Sequence, residues 1–305
     1  MSFDGLIGND KTKELLIKSI KNENILHSYL FYGTEGIGKK LFSIEFSKMI
    51  LCESDDKPCG KCKSCVEFES NNNPDFSIIE PDGNSLKIEQ IRAFQKKILE
   101  KPINGKKKIY IINDAEKMTK EAQNSLLKTL EEPQSYVVII LICSNENAIL
   151  PTVKSRCTKI FFSEHTKEDI SRFIKEKFST TDFNESMIEL CGGSIKRAMD
   201  VFEKKDVLNQ INDIANNVTK IDKLNFLLGN EIFYDNKEDI NLLLDYMNIL
   251  FFKGISKYNV ASFSRCMEYV EEAKRKLSYS NNFDMTIDNM LIKIWEEFNE
   301  KYNRC

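Results

Sequence analysis

Two stretches of this sequence combine residue types and spacings that could do chemistry. The first is GTEGIGKK, Gly33 to Lys40. Gly33, Gly36 and Gly38 leave backbone amides accessible, a following helix would offer its positive end, and Lys39 can reach the β and γ groups of a nucleotide, so the stretch reads as a phosphate-binding loop. The residue after that lysine normally carries a Ser or Thr hydroxyl for magnesium. Here it is Lys40, and a second ammonium cannot ligate a metal. The bland alternative is a structural glycine turn. The second stretch is CESDDKPCGKCKSC, in which Cys52, Cys59, Cys62 and Cys65 follow a C-x6-C-x2-C-x2-C pattern. Thiolates at C-x2-C spacing converge on one tetrahedral ion, and zinc with four sulfur ligands has no open position for water, so the expected role is structural. Free reduced thiols are the alternative; an iron–sulfur cluster finds no support elsewhere in the chain.

Other positions bear on the loop. The run KKIYIIN leads to Asn113 and Asp114, where nucleotide hydrolases place an acidic metal ligand followed by a glutamate that orients water. An amide at Asn113 brings no charge and Asp114 is one methylene short, so Lys40 and Asn113 weaken magnesium-assisted hydrolysis from two sides. The opposing reading has Asp114 supply the metal ligand after a small register change. After YVVIILIC, Asn145 can place an amide near a γ-phosphate. Arg156, in LPTVKSRC, is suited either to a surface ion pair or to phosphate oxygens in a neighbouring subunit's site.

These residues need a scaffold, and the pattern supplies one. From residue 1 to about 165, the apolar runs SYLFYG, DFSIIE, KKIYIIN, YVVIILIC and TKIFF alternate with helical segments, which predicts an α/β domain with a parallel sheet covered on both faces. Predicted helices run over Lys39–Leu51, over Ile88–Glu100 ahead of Pro102, and from a Thr119 cap to Glu132 ahead of Pro133. Residues 166–208 read as a small helical domain, with Thr166 as a cap, a short helix over Asp182–Cys191, and Ser194 opening a helix that carries Arg197. Residues 209–305 read as a third, all-helical domain with amphipathic stretches near 236–253, 262–278 and 284–301.

At 305 residues, with 41% hydrophobic and 30% charged residues and a net charge of −3, the chain has the composition of a soluble globular protein and argues against wholesale coating of nucleic acid. Its longest strongly apolar run, Tyr136 to Cys143, is too short for a bilayer, and MSFDGLIGNDKTKELL has no signal-peptide pattern, so a cytoplasmic location without membrane contact is expected. The basic runs Lys96-Lys97 and Lys106–Lys108 are short enough to be solvated faces.

The phosphate loop, the four-cysteine insertion, the segment DAEKMTKEAQNSLLKTLEEP from Asp114 to Pro133 and the SRC tripeptide at Ser155–Cys157 together resemble bacterial clamp-loader subunits of the AAA+ superfamily. IGN at Ile7–Asn9 and HSYLFYG from His27 are also similar to family boxes, and the match covers residues 1 to about 200 in order. Motor subunits of the gamma or tau type carry Thr or Ser after the loop lysine and an Asp-Glu pair on the later strand. With Lys40 and Asn113-Asp114 in those places, the pattern is most similar to the delta-prime subunits of the DNA polymerase III clamp loader. The resemblance implies an AAA+ domain, a helical lid and a helical collar, placed in a five-subunit ring with gamma/tau and delta subunits that uses ATP to load a sliding clamp onto primed DNA. It implies a stator without ATPase activity of its own, with Arg156 entering the adjacent motor subunit's ATP site. Arg197, in GGSIKRA, would face this chain's own loop or serve as an ion-pair partner. ATP or ADP has room in that loop, magnesium does not. The alternative is an active ATPase, either a gamma/tau-like motor subunit or another AAA+ enzyme.

Overall fold

The computed structural model describes residue 3 and residues 5–179, 183–218, 222–255, 260–279 and 282–299. In chain order the first part comprises α1 (Asp10–Lys21), β1 (Ser28–Tyr32), α2 (Lys39–Leu51), α3 (Lys63–Glu69), β2 (Phe76–Ile79), α4 (Ile88–Ile98), β3 (Lys108–Ile112), α5 (Lys120–Glu131), β4 (Val137–Cys143), α6 (Pro151–Lys154) and β5 (Thr158–Phe161). The strands form one sheet in the order β2-β3-β4-β1-β5, with every pairing parallel. All five apolar runs picked out in the sequence are strands of this sheet, and the α/β class holds.

Central strands in a parallel sheet are buried on both faces, which is why VVIILIC is continuous rather than alternating. Successive side chains of β3 and β4 serve opposite cores: Ile109, Ile111, Val138 and Ile140 join Phe42, Phe46 and Leu16 from α2 and α1, whereas Tyr110, Ile112, Ile139 and Leu141 join Ile91, Phe94, Leu126 and Leu130 from α4 and α5. Thr119 caps α5 as expected, its hydroxyl accepting from the Ala122 amide. Because β1 and β4 are neighbours while the chain between them crosses to β2 and β3, their carboxyl ends flank a topological switch point, the place where open α/β sheets present ligand sites.

The second part is helical: α7 (Lys167–Phe178), α8 (Glu185–Leu190), α9 (Ile195–Glu203), α10 (Lys205–Asn217), α11 (Lys223–Leu227), α12 (Asn230–Asp235), α13 (Ile240–Ile255), α14 (Val260–Ser278) and α15 (Phe283–Asn299). Thr166 does cap α7, with reciprocal bonds between Thr166 and Asp169. The expected helix over Asp182–Cys191 begins at Glu185 with the Asn184 side chain as its cap; Asp182 lies outside the described residues, as does the end of the stretch expected to reach 301. Compactness divides the chain into two units, Met1–Asp169 with Ser194–Lys196, and Ile170–Gly193 with Arg197–Cys305. In the second unit α14 packs between α13 and α15, and α8 and α10 both pack on α13. Among the described residues no helix is long and apolar enough to cross a membrane.

Candidate functional site

The glycine loop leaves β1 at Gly33 and enters α2 at Lys39. Gly33 has φ 147°, and a Cβ there would lie 2.3 Å from the Phe162 carbonyl oxygen, so no larger residue fits without moving the β5 end. At Gly36, φ 77°, a Cβ would meet the Ser194 hydroxyl at 2.2 Å. Lys39 is buried, and its ammonium donates to the Gly33 and Thr34 carbonyls at 2.7 and 2.6 Å and to the Ser144 hydroxyl at 3.2 Å. Burial pushes the Lys39 pKa down, while Cys143, Glu116, Glu35 and Asp114 oppose that shift. Ser194–Lys196 reach back onto the loop: the Lys196 amide donates to the Gly36 carbonyl at 3.1 Å and its ammonium pairs with Glu35 at 2.9 Å. That hydrogen bond, aided by the Lys196 charge, lowers the Glu35 pKa.

Lys40 does not idle. Its ammonium lies 2.6 Å from the Glu80 carboxylate at the end of β2. Asn113 follows β3, and its backbone N–H donates to the Ile79 carbonyl at 2.9 Å. Asp114 adopts a left-handed turn, φ 49° and ψ 49°, and its carboxylate pairs with Lys117 at 2.9 Å. The side chain brought to Lys39 through this turn is Glu116, which sequence reasoning missed. One Glu116 oxygen accepts the Ser144 amide at 2.9 Å and the other is buried with no partner, so Glu116, Ser144 and Lys39 form a chain across the ends of β3 and β4. The Asn145 amide oxygen is instead occupied by the Asn147 backbone N–H at 3.1 Å, and it is Ser144 that reaches the loop lysine. Nothing in the spacing marks Glu116, because its partner is set by the pairing of β3 with β4.

The four cysteines of 52–65 converge, with all sulfurs within 4.8 Å of one another. Four sulfurs at about 2.3 Å from a tetrahedral zinc stand roughly 3.8 Å apart, so the cluster has the size of a zinc cage. Cys52 ends α2, Cys62 precedes α3 and Cys65 lies in its first turn. The Lys61 and Cys62 amides donate to the Cys59 sulfur at 3.5 and 3.3 Å, and the Cys59 amide to the Cys52 sulfur at 3.4 Å. Those backbone donors bring the Cys59 pKa down to about 6, whereas burial raises Cys52 and pushes Cys65 up to about 12. Without a cation, burial favours the protonated thiols of Cys52 and Cys65; the donor set fits a metal whose charge would favour the thiolate form. Cys143 is buried at the end of β4.

Arg156 caps the same domain at its edge. Its guanidinium donates to the Thr152 carbonyl at 2.8 Å and to Glu131 at 2.5 Å, and the side chain keeps 33% exposure. Arg197 donates to Asp245 of α13 at 2.5 Å, a carboxylate that also takes Lys274 at 2.8 Å.

The family model described as DNA polymerase III, delta subunit, matches residues 8–166, which is the sheet domain together with its loop, cysteine module and SRC segment. The chain belongs to that family. Relatives within it include the DNA polymerase III subunit delta' of Bacillus subtilis, 39% identical over 153 residues, and that of Pseudomonas aeruginosa, 34% identical over 137 residues. The matches cover 50% and 44% of this chain but only 46% and 42% of those relatives, so the chain matches less than half the length of each. The DNA polymerase III subunit gamma of Buchnera aphidicola from Schizaphis graminum is 28% identical over 99% of this chain and 86% of its own length. Among solved structures, a DNA polymerase III gamma subunit-related protein from Thermotoga maritima superposes with TM-score 0.52 at 18% identity, covering 93% of this chain and 99% of that one, which extends the shared fold into the helical part. The α/β fold with a parallel sheet followed by a helical part, and the clamp-loader family of DNA polymerase III subunits, both expected from the motifs, therefore hold. Delta' relatives are the more similar, and gamma relatives the more extensive.

Proposed function

We propose that this chain is a delta-prime-type stator of a cytoplasmic DNA polymerase III clamp loader, without ATPase activity of its own, whose Arg156 completes an ATP site in an adjacent motor subunit. The observation that carries the reading is the Lys40–Glu80 ion pair beside Asn113. The position that would hold a magnesium-binding hydroxyl is an ammonium satisfied by a carboxylate, and the strand position that would offer a second metal ligand is a neutral amide. Gly33, Gly36, Gly38 and Lys39 still compose a loop that accommodates ATP or ADP without magnesium. Arg156 is available for a neighbour because a partly exposed ion pair such as Arg156–Glu131 contributes only about 0–1 kcal/mol and exchanges readily for phosphate oxygens.

In the same proposal residues 1–165 are the AAA+ domain, 166–208 the lid and 209–305 the collar joining gamma/tau and delta subunits in a five-subunit ring, which acts on the sliding clamp and primed DNA. Zinc held by Cys52, Cys59, Cys62 and Cys65 would supply a structural cross-link and no step of catalysis. Arg197, paired with Asp245, would be the sensor-position arginine of this chain. The second reading, a gamma/tau-like motor, is favoured by the gamma relative matched along nearly the whole chain. Magnesium-dependent ATP turnover by the purified chain, with Lys39→Ala as control, separates the two: negligible turnover supports the stator, and robust turnover lost in the variant supports the motor.

A further inference from the structure

The segment between α4 and β3 carries two of the most exposed apolar side chains of the sheet domain, Leu99 at 70% and Ile103 at 72%. Its residues 103 and 104 are held by bonds that lead to the cysteine module. Asp75, almost wholly buried, accepts the Ile103 and Asn104 amides on its two carboxylate oxygens, each at 2.8 Å. The Asp75 amide donates at 2.9 Å to the buried Asn73 side chain, which in turn donates to the carbonyl and hydroxyl of Ser64, both at 3.0 Å. Ser64 stands between the cysteines Cys62 and Cys65 in the first turn of α3. A second arm runs from the same helix: the Asn104 side-chain amide donates to the Glu67 carboxylate. Phe68 of α3 packs against Phe76 of β2, with ring centroids 4.5 Å apart and the rings tilted by 40°, at the sheet edge.

We propose that the four-cysteine module is a brace, and that metal bound there sets the conformation of residues 103 and 104 through α3. The inference rests on the metal reading given above and concerns what the metal does for the rest of the domain. An isolated helix shorter than about 12–15 residues is marginal in water, and α3 has seven. Its first turn is held by cysteine ligands, so the free energy of binding metal is also the free energy of forming the helix. Both arms to residues 103 and 104 start on α3, from Ser64 and from Glu67. Losing the metal removes the platform of each. Asp75 itself stays, because its carbonyl accepts the Ile109 amide in line with the sheet, but its orienting contact with Asn73 goes.

Hydrogen exchange on the full chain reads the two amides concerned. With zinc present, Ile103 and Asn104 should be protected; after chelation their exchange should quicken by about tenfold or more, together with 52–70, while β3 and β4 keep their protection. Unchanged exchange at 103 and 104 in a chain whose 52–70 segment has loosened overturns the brace. Should chelation also unprotect β4, the zinc-loaded Glu67→Ala/Asn73→Ala variant decides, with its zinc content measured. Quicker exchange at 103 and 104 with zinc retained supports the brace, and wild-type exchange overturns it. A chain that binds no zinc overturns the metal reading and the metal-set brace with it, whereas zinc bound without the expected change at 103 and 104 overturns the brace alone.

Discussion

Lys39 and Lys40 are adjacent in sequence and opposite in circumstance. Lys39 is buried and satisfied by its own loop, a state in which the ammonium is preplaced for phosphate oxygens but spends its donors on the Gly33 and Thr34 carbonyls. Lys40 stays partly exposed and is tied to Glu80. Nucleotide binding and hydrolysis should therefore come apart at this pair. Isothermal titration should show weak ATP binding that is indifferent to magnesium and lost in Lys39→Ala. Lys40→Thr combined with Asn113→Asp should make that binding magnesium-dependent, because it restores a hydroxyl and a carboxylate in the two metal positions. Binding that already tightens with magnesium in the unmodified chain would instead assign the metal to Asp114. Glu116 belongs to the same scale: Glu116→Gln keeps an oxygen for the Ser144 amide but removes a charge that favours the Lys39 ammonium, so it should lower the Lys39 pKa further and weaken nucleotide binding at alkaline pH first.

Helices in this chain are held by different means. The short α3 relies on the cysteine module, and elemental analysis should find about one zinc per chain. Serine at Cys59 and Cys62 should release it and raise the exchange of 52–70 without unfolding the sheet. The long α14 and α15 rely on packing and on charge, with Glu272 hydrogen-bonded to both Lys276 on its own helix and Lys293 on the next. These partners hold the Glu272 pKa down to about 2, below the ordinary glutamate value of about 4.5. A carboxylate with a lowered folded-state pKa stabilises fully above its unfolded pKa and loses that contribution as pH falls towards the folded value. Glu272→Gln should therefore lower the melting temperature at pH 7 by a small amount, and the difference from the unmodified chain should shrink between about pH 4.5 and 2. A difference that persists at pH 2 would mean that Glu272 acts by packing rather than charge.

For the molecule as a whole, the consequential arginine is one whose effect should appear in another subunit. Arg156→Ala removes a partly exposed ion pair and should leave this chain's own melting nearly unchanged. In a loader reconstituted with gamma/tau and delta subunits, DNA- and clamp-stimulated ATPase should fall partially, since an inserted arginine is worth roughly a thousandfold at one site while the other sites remain. Clamp loading should fall further. Lysine should rescue less than arginine restores, because a point charge cannot offer two parallel donors to phosphate oxygens. Full ATPase and full loading by the alanine variant would leave Arg156 with Glu131 alone.

What the sequence determined by itself is whatever depends on local spacing. The five strands follow from continuous apolar runs, α5 from a Thr119 cap and a Pro133 stop, the glycine turn from its place between a strand and a helix, and the four-sulfur cluster from cysteines that short turns must bring together. The departures at Lys40 and Asn113 were equally legible, since they are read against a motif. Tertiary structure decided the rest because its partners lie far apart in the chain. Glu116 meets Ser144 only through the register of β3 with β4, Lys40 meets Glu80 across the end of β2, Arg156 before β5 meets Glu131 at the end of α5, and Arg197 meets Asp245 of α13. No periodicity encodes such pairs; they arise when packed elements carry their ends to the same place, and a carboxylate becomes a site residue there by position rather than by motif.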